Sequence, residues 1–197
     1  MKKPPKIVCL GDSLTYGYPF GPAFSWVNYV AQETGLTMVN AGVNGNTVED
    51  MEKRFTTDVI PHHPDFVVIL GGANDAFCSE ISIAQTLHHL ELIINCAIEN
   101  QIKPILGLVP LVDEPRVKPK LATLNSSYRE IAKLRKIPLL DFETPFLDPS
   151  TGNLKTELYL DRVHPNEEGY RVMGKVAVDF FKTFFSRGCQ DRSSSGQ

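Results

Sequence analysis

Four short clusters in the sequence hold residue types that together could carry out acyl transfer. Ser13, in Gly11-Asp12-Ser13-Leu14, offers a hydroxyl nucleophile, and His164 offers an imidazole to take its proton. Asp161 lies three residues before His164, so in a helical turn or compact loop both side chains can point the same way and the carboxylate can orient the ring. A developing oxyanion needs donors as well. Gly45 can bring a backbone N–H close to a reacting atom, and the Asn74 amide is a neutral donor that can be held in place before charge develops. Each residue also has a plainer reading: Ser13 as a turn or helix cap, Asp161 and His164 as caps, Gly45 as a loop residue and Asn74 as a turn former.

Two other chemistries compete for these residues. Gly11, Gly45 and Gly72 could cradle an anion on backbone N–H groups in a non-catalytic binding module, but that leaves Asp161 and His164 without a purpose. His62, His63, His88 and His89 raise the question of a metal hydrolase. Adjacent helical residues point about 100° apart, and neither pair has the four-residue spacing that puts two ligands on one face. No metal or cofactor is expected.

The elements that must position the four clusters follow from hydrophobic period. Short apolar runs at Lys6 to Leu10, Thr37 to Asn40, Phe66 to Leu70, Ile105 to Val109 and Pro138 to Asp141 read as strands. Helical periods lie between them near Ala23 to Thr34, Thr47 to Val59, Ile83 to Glu99 and Leu121 to Arg135. A last helix follows Pro165, placed at its first position, with Tyr170, Met173, Val176, Ala177, Phe180, Phe181 and Phe184 on one apolar face. This alternation predicts a three-layer α/β/α domain with about five parallel strands over residues 1–187, whose ligand site lies outside the carboxyl ends of the strands. All four clusters fall there. Gly188 to Gln197 is expected to be a disordered tail.

Composition narrows the partners. The chain has 197 residues, 42% hydrophobic, and a net charge of only -3 with no dense basic stripe, which argues against nucleic acid. No apolar run approaches the length of a membrane span, and the start of the chain is not read as an export signal. Cys9, Cys78, Cys96 and Cys189 are irregularly spaced and expected to be reduced thiols of a cytoplasmic protein. Oligomeric state is not readable.

Taken together, the clusters resemble the GDSL or SGNH hydrolase family. Gly11-Asp12-Ser13-Leu14 matches its first motif letter for letter, Gly45 its glycine motif, Gly72-Ala73-Asn74-Asp75 its GxND motif and Asp161 with His164 its closing DxxH. The resemblance implies a flavodoxin-like fold and hydrolysis of esters or thioesters. It also implies roles: Ser13 as nucleophile, His164 as general base and acid, Asp161 as its orienting group, and Ser13 N–H, Gly45 N–H and the Asn74 amide as the oxyanion hole. Asp12 and Asp75 read as loop supports.

A small-molecule ester or thioester is the expected partner. Tyr16, Tyr18 and Phe20 are candidate pocket residues, Phe24 and Trp26 read as the buried face of the first helix, and Leu111 and Val112 are candidate walls from the loop after the fourth strand. Arg116, Lys118 and Lys120 read as the solvated face of that loop. The resemblance covers carboxylesterases, lysophospholipases, thioesterases and carbohydrate deacetylases. A short- to medium-chain carboxylesterase or lysophospholipase-like acylhydrolase is the expectation, with carbohydrate O-deacetylation second.

Overall fold

A computed structural model describes residues 4–190, apart from the side chains of 187–190. Strands β1 (Lys6–Gly11), β2 (Thr37–Gly42), β3 (Phe66–Leu70), β4 (Lys103–Leu108) and β5 (Leu139–Asp141) form one parallel sheet in the order β2-β1-β3-β4-β5. Every residue of β3 is buried, as its unbroken Phe-Val-Val-Ile-Leu run requires of a central strand covered on both faces. From β1 the chain moves outward to β2 and then returns past β1 to β3. The carboxyl ends of β1 and β3 therefore flank the switch point where such sheets open a crevice.

The helices are α1 (Ser13–Tyr16), α2 (Trp26–Thr34), α3 (Val48–Lys53), α4 (Phe55–Asp58), α5 (Ala73–Phe77), α6 (Ile83–Glu99), α7 (Lys118–Arg135) and α8 (Glu167–Gln190). α2 packs on α8, while α6 packs on both α3 and α7, so the sheet lies between two helical layers. The expected stripe of α8 is buried at Tyr170, Met173, Ala177 and Phe181, with Val176, Phe180 and Phe184 partly covered. Among the described residues no helix is long and apolar enough to cross a membrane.

Local chemistry shifts several boundaries. The helix expected from Ala23 starts at Trp26, because Ser25 caps it by accepting the Val27 N–H at 3.1 Å. Phe24 lies before that cap in a 3-10 turn and is half-exposed, so it is not part of the buried face, whereas Trp26 is fully buried. The helix expected over Thr47 to Val59 is two helices broken at Arg54, whose guanidinium reaches away to Asn46 Oδ1 and the Gly11 carbonyl. Pro165 is not the first residue of α8: Asn166 caps that helix, taking the Gly169 N–H on Oδ1 at 3.0 Å, and Pro165 bridges to Tyr159. α8 itself runs through Gln190, past the expected domain end, and the rest of the expected tail, 191–197, lies outside the described residues.

Candidate active site

The turn after β1 is built around Asp12. Its Oδ1 accepts the Leu14 N–H at 2.9 Å, capping α1 and setting Ser13 at the first helical position, only 7% exposed. Asn40 in β2 ties this turn to the sheet, donating to the Thr15 carbonyl at 2.8 Å and accepting the Gly42 N–H at 3.0 Å. The approach is so close that a Cβ on Gly42 would lie 2.2 Å from Tyr16 N, so only glycine fits there. From α8, Tyr170 donates its hydroxyl to the Tyr18 and Ser13 carbonyls at 2.8 and 3.3 Å.

The loop before α8 presents the imidazole. Asp161 Oδ1 accepts the N–H groups of Val163 and His164 at 2.6 and 2.7 Å, while its Oδ2 lies 2.9 Å from His164 Nδ1. A carboxylate can only accept, so Nδ1 carries the hydrogen and the lone pair of Nε2 faces Ser13 Oγ, 3.2 Å away. Asp161 thus folds the loop and fixes the ring with the same carboxylate. Tyr18 packs beside the imidazole with ring centroids 4.6 Å apart, and Leu160 N–H holds the His164 carbonyl at 2.8 Å.

Asn74 sits in the first turn of α5, directly after β3. Its Nδ2 donates to the Asn46 carbonyl at 2.9 Å and reaches Asp12 Oδ2 at 3.4 Å, which joins the β3 end to the Ser13 turn and to the loop of Gly45. Gly45 has φ +79, a left-handed conformation that glycine takes without strain, in an exposed turn closed by Asn46 N–H on the Val43 carbonyl. Arg54 props this loop by donating to Asn46 Oδ1 at 2.6 Å and to the Gly11 carbonyl at 2.8 Å. Ser13, Asn74, Asp161 and His164 are thereby drawn into one crevice with the Gly45 loop at its edge.

Two buried acids support that crevice. Burial, aided by the neighbouring Asp75 charge, pushes Asp12 up to about 7 against the pull of the Leu14 N–H and Arg54. Burial likewise raises Asp75, whose carboxylate accepts Val48 N–H at 3.1 Å and the Thr86 hydroxyl at 3.0 Å. Burial works to raise Asp161 too, but the bonds from the His164 N–H, the His164 ring and the Val163 N–H outweigh it and hold this carboxyl below its usual range.

The expected pocket residues separate into two groups. Tyr18, at 40% exposure, stands beside His164, Phe20 packs partly buried against the core and Phe24, and Tyr16 closes α1. Leu111 and Val112 are instead core residues, 6% and 1% exposed, and present almost no surface to a ligand. Their segment turns inward because it braces the His164 loop: Asp113 N–H donates to the Arg162 carbonyl, Glu114 pairs with Arg162, and the Leu111 carbonyl takes the Tyr159 hydroxyl. Lys120 is not on a solvated face. Its ammonium donates to the carbonyls of Asp75, Cys78 and Ile81 at 2.6, 2.7 and 2.5 Å. Asn40, Arg54, Lys120 and Tyr170 all support the site, and of these only Asn40, two residues before Gly42 in β2, carries a local sequence signal.

Comparison with known proteins agrees with this geometry. The model of the GDSL-like lipase/acylhydrolase family matches residues 9–172. A lipolytic protein of the G-D-S-L family from Desulfitobacterium hafniense DCB-2 shares 32% identity and superposes with a TM-score of 0.81, over 89% of this chain and 98% of that one. Acetylxylan esterase from Geobacillus stearothermophilus is 26% identical, covering 75% of this chain and 73% of its own. Thioesterase 1/protease 1/lysophospholipase L1 from Escherichia coli K12 is 25% identical, covering 82% and 76%. With strands β2 to β5, the GDSL turn after β1 and the DxxH loop before α8 all inside the matched span, the chain belongs to the GDSL-like lipase/acylhydrolase family of ester hydrolases.

Proposed function

We propose that the protein is a serine acylhydrolase working through a Ser13-His164-Asp161 triad and an acyl-enzyme. The observation that carries this reading is the unbroken relay from Ser13 Oγ to His164 Nε2 at 3.2 Å and from His164 Nδ1 to Asp161 at 2.9 Å. Ser13 attacks the ester carbonyl as His164 takes its proton. The protonated imidazole, stabilised by Asp161, gives that proton to the departing alcohol or thiol, and water then enters by the same route to release the acid. The oxyanion is received by the N–H groups of Ser13 and Gly45 and by the Asn74 amide.

The substrate we favour is a short- to medium-chain acyl ester or a lysophospholipid. Exposed Tyr18 beside His164 offers apolar surface to an acyl chain, while Leu111 and Val112 are buried and open no deep tunnel, and exposed Val43, Phe77 and Leu160 lie within a few residues of site residues in the sequence. Similarity to the Geobacillus acetylxylan esterase supports a second reading, removal of acetyl groups from a carbohydrate, with Tyr18 as a stacking face for a sugar ring. Rates on p-nitrophenyl esters from acetate to decanoate, on lysophosphatidylcholine and on acetylated xylo-oligosaccharide decide between them. A preference for chains above four carbons supports the first reading, and turnover confined to acetylated sugar refutes it. Unpaired Cys9, Cys78 and Cys96 support a cytoplasmic location, which cell fractionation tests.

A further inference from the structure

α5 presents a physical problem. It has five residues, below the length at which a helix is stable alone, and its N-cap, Gly72, supplies no side-chain hydrogen bond. Yet its second residue is Asn74, whose amide must be aimed to within a fraction of an ångström to serve as an oxyanion donor. Something outside the helix must hold it.

Lys120 occupies the place where that support is needed. It lies in the first turn of α7, which carries Lys118 and Lys120 and no acidic residue, an arrangement opposed by the helix dipole. The three carbonyls that take its ammonium account for this. Asp75 and Cys78 supply carbonyls at the C-terminal end of α5, where a cation is favoured; the Cys78 carbonyl also takes the Ile81 N–H at 3.3 Å, and Ile81 belongs to the turn that follows. All three donors of the ammonium are used, each on backbone, so Lys120 acts as a C-cap for α5 supplied from another helix.

We infer that Lys120 is a positioning residue for the oxyanion hole: its ammonium, spread over the Asp75, Cys78 and Ile81 carbonyls, locks α5 in the orientation that aims Asn74. The inference rests on the acylhydrolase reading for its kinetic consequence and on the three contacts alone for its structural one. Removing the ammonium leaves Asn74 chemically intact but poorly aimed. The loss therefore falls on kcat and disappears when Asn74 is already gone.

The test uses K120M, which keeps the apolar stem, in the wild-type and N74A backgrounds with p-nitrophenyl acetate, together with amide hydrogen exchange over residues 73–82. Expected are a fall in kcat of about 10-fold, KM within about twofold, less than a twofold further effect in N74A, and faster exchange confined to that segment. Should K120M fail to fold, K120Q, which retains two N–H donors, carries the same comparison. Multiplying losses in K120M/N74A, or unchanged exchange across 73–82, overturn the inference. A wild-type protein without esterase activity would refute the acylhydrolase reading while leaving the exchange measurement decisive for Lys120.

Discussion

Replacing Asp161 with asparagine separates the two tasks that this carboxylate performs. Oδ1 is committed to the backbone N–H groups of Val163 and His164, so in D161N the amide oxygen must stay on that side and the NH2 group must face His164 Nδ1. The ring then places its hydrogen on Nε2, and the nitrogen beside Ser13 can no longer accept a proton. Turning the amide round costs the two backbone hydrogen bonds, about 2–3 kcal/mol in all. Loss of the negative charge opposite the imidazolium adds about 1–2 kcal/mol, discounted because the Asp161 side chain is 49% exposed. At 1.4 kcal/mol per factor of ten, kcat/KM should fall by about 10²–10⁴. The assay is p-nitrophenyl acetate hydrolysis at neutral pH, with thermal unfolding as a control for the loop. A D161N enzyme within tenfold of wild type, and folded, would refute the tautomer reasoning.

Three further perturbations probe the same crevice. N74A removes the proposed oxyanion donor and should lower kcat by about 10²–10³, read as initial rates at saturating ester, with the fold intact by circular dichroism. G42A places a methyl 2.2 Å from Tyr16 N, a backbone atom that cannot yield, and should cost at least about 2 kcal/mol in urea unfolding together with most of the activity. Asp12 has a folded pKa of about 7 against an ordinary value of 3.8, so between these pH values the unfolded chain releases a proton that the native protein keeps. Stability contributed by this group is full below about pH 4 and is lost as pH rises through about 7, by at most about 4 kcal/mol. Urea unfolding from pH 4 to 8 should show D12N gaining on wild type as pH rises, and parallel curves would contradict this.

The fold and the four clusters were legible because both depend on local pattern: buried β-branched runs give the parallel strands, and the polar residues that follow them stand at one end of the sheet. His164 and Asp161 were readable for the same reason, being three residues apart. The supports were not, since each depends on a partner far along the chain. Lys120 reads as a solvated cation until the carbonyls of Asp75, Cys78 and Ile81 are placed beside it. Leu111 and Val112 read as pocket walls until the segment is seen bracing Arg162, and the break at Arg54 follows from a side chain drawn to Gly11, 43 residues away. Phe24 fits the apolar spacing of α2 but falls outside it, because Ser25 caps the helix one residue later.

If Ser13 is the nucleophile, it is the residue that a fluorophosphonate ester modifies, read by peptide mass spectrometry beside ester turnover. The expected result is one adduct, on Ser13, with complete loss of activity, and an S13A protein that folds, takes up no label and hydrolyses no ester above background. Label on another residue, or ester turnover surviving in S13A, would contradict it.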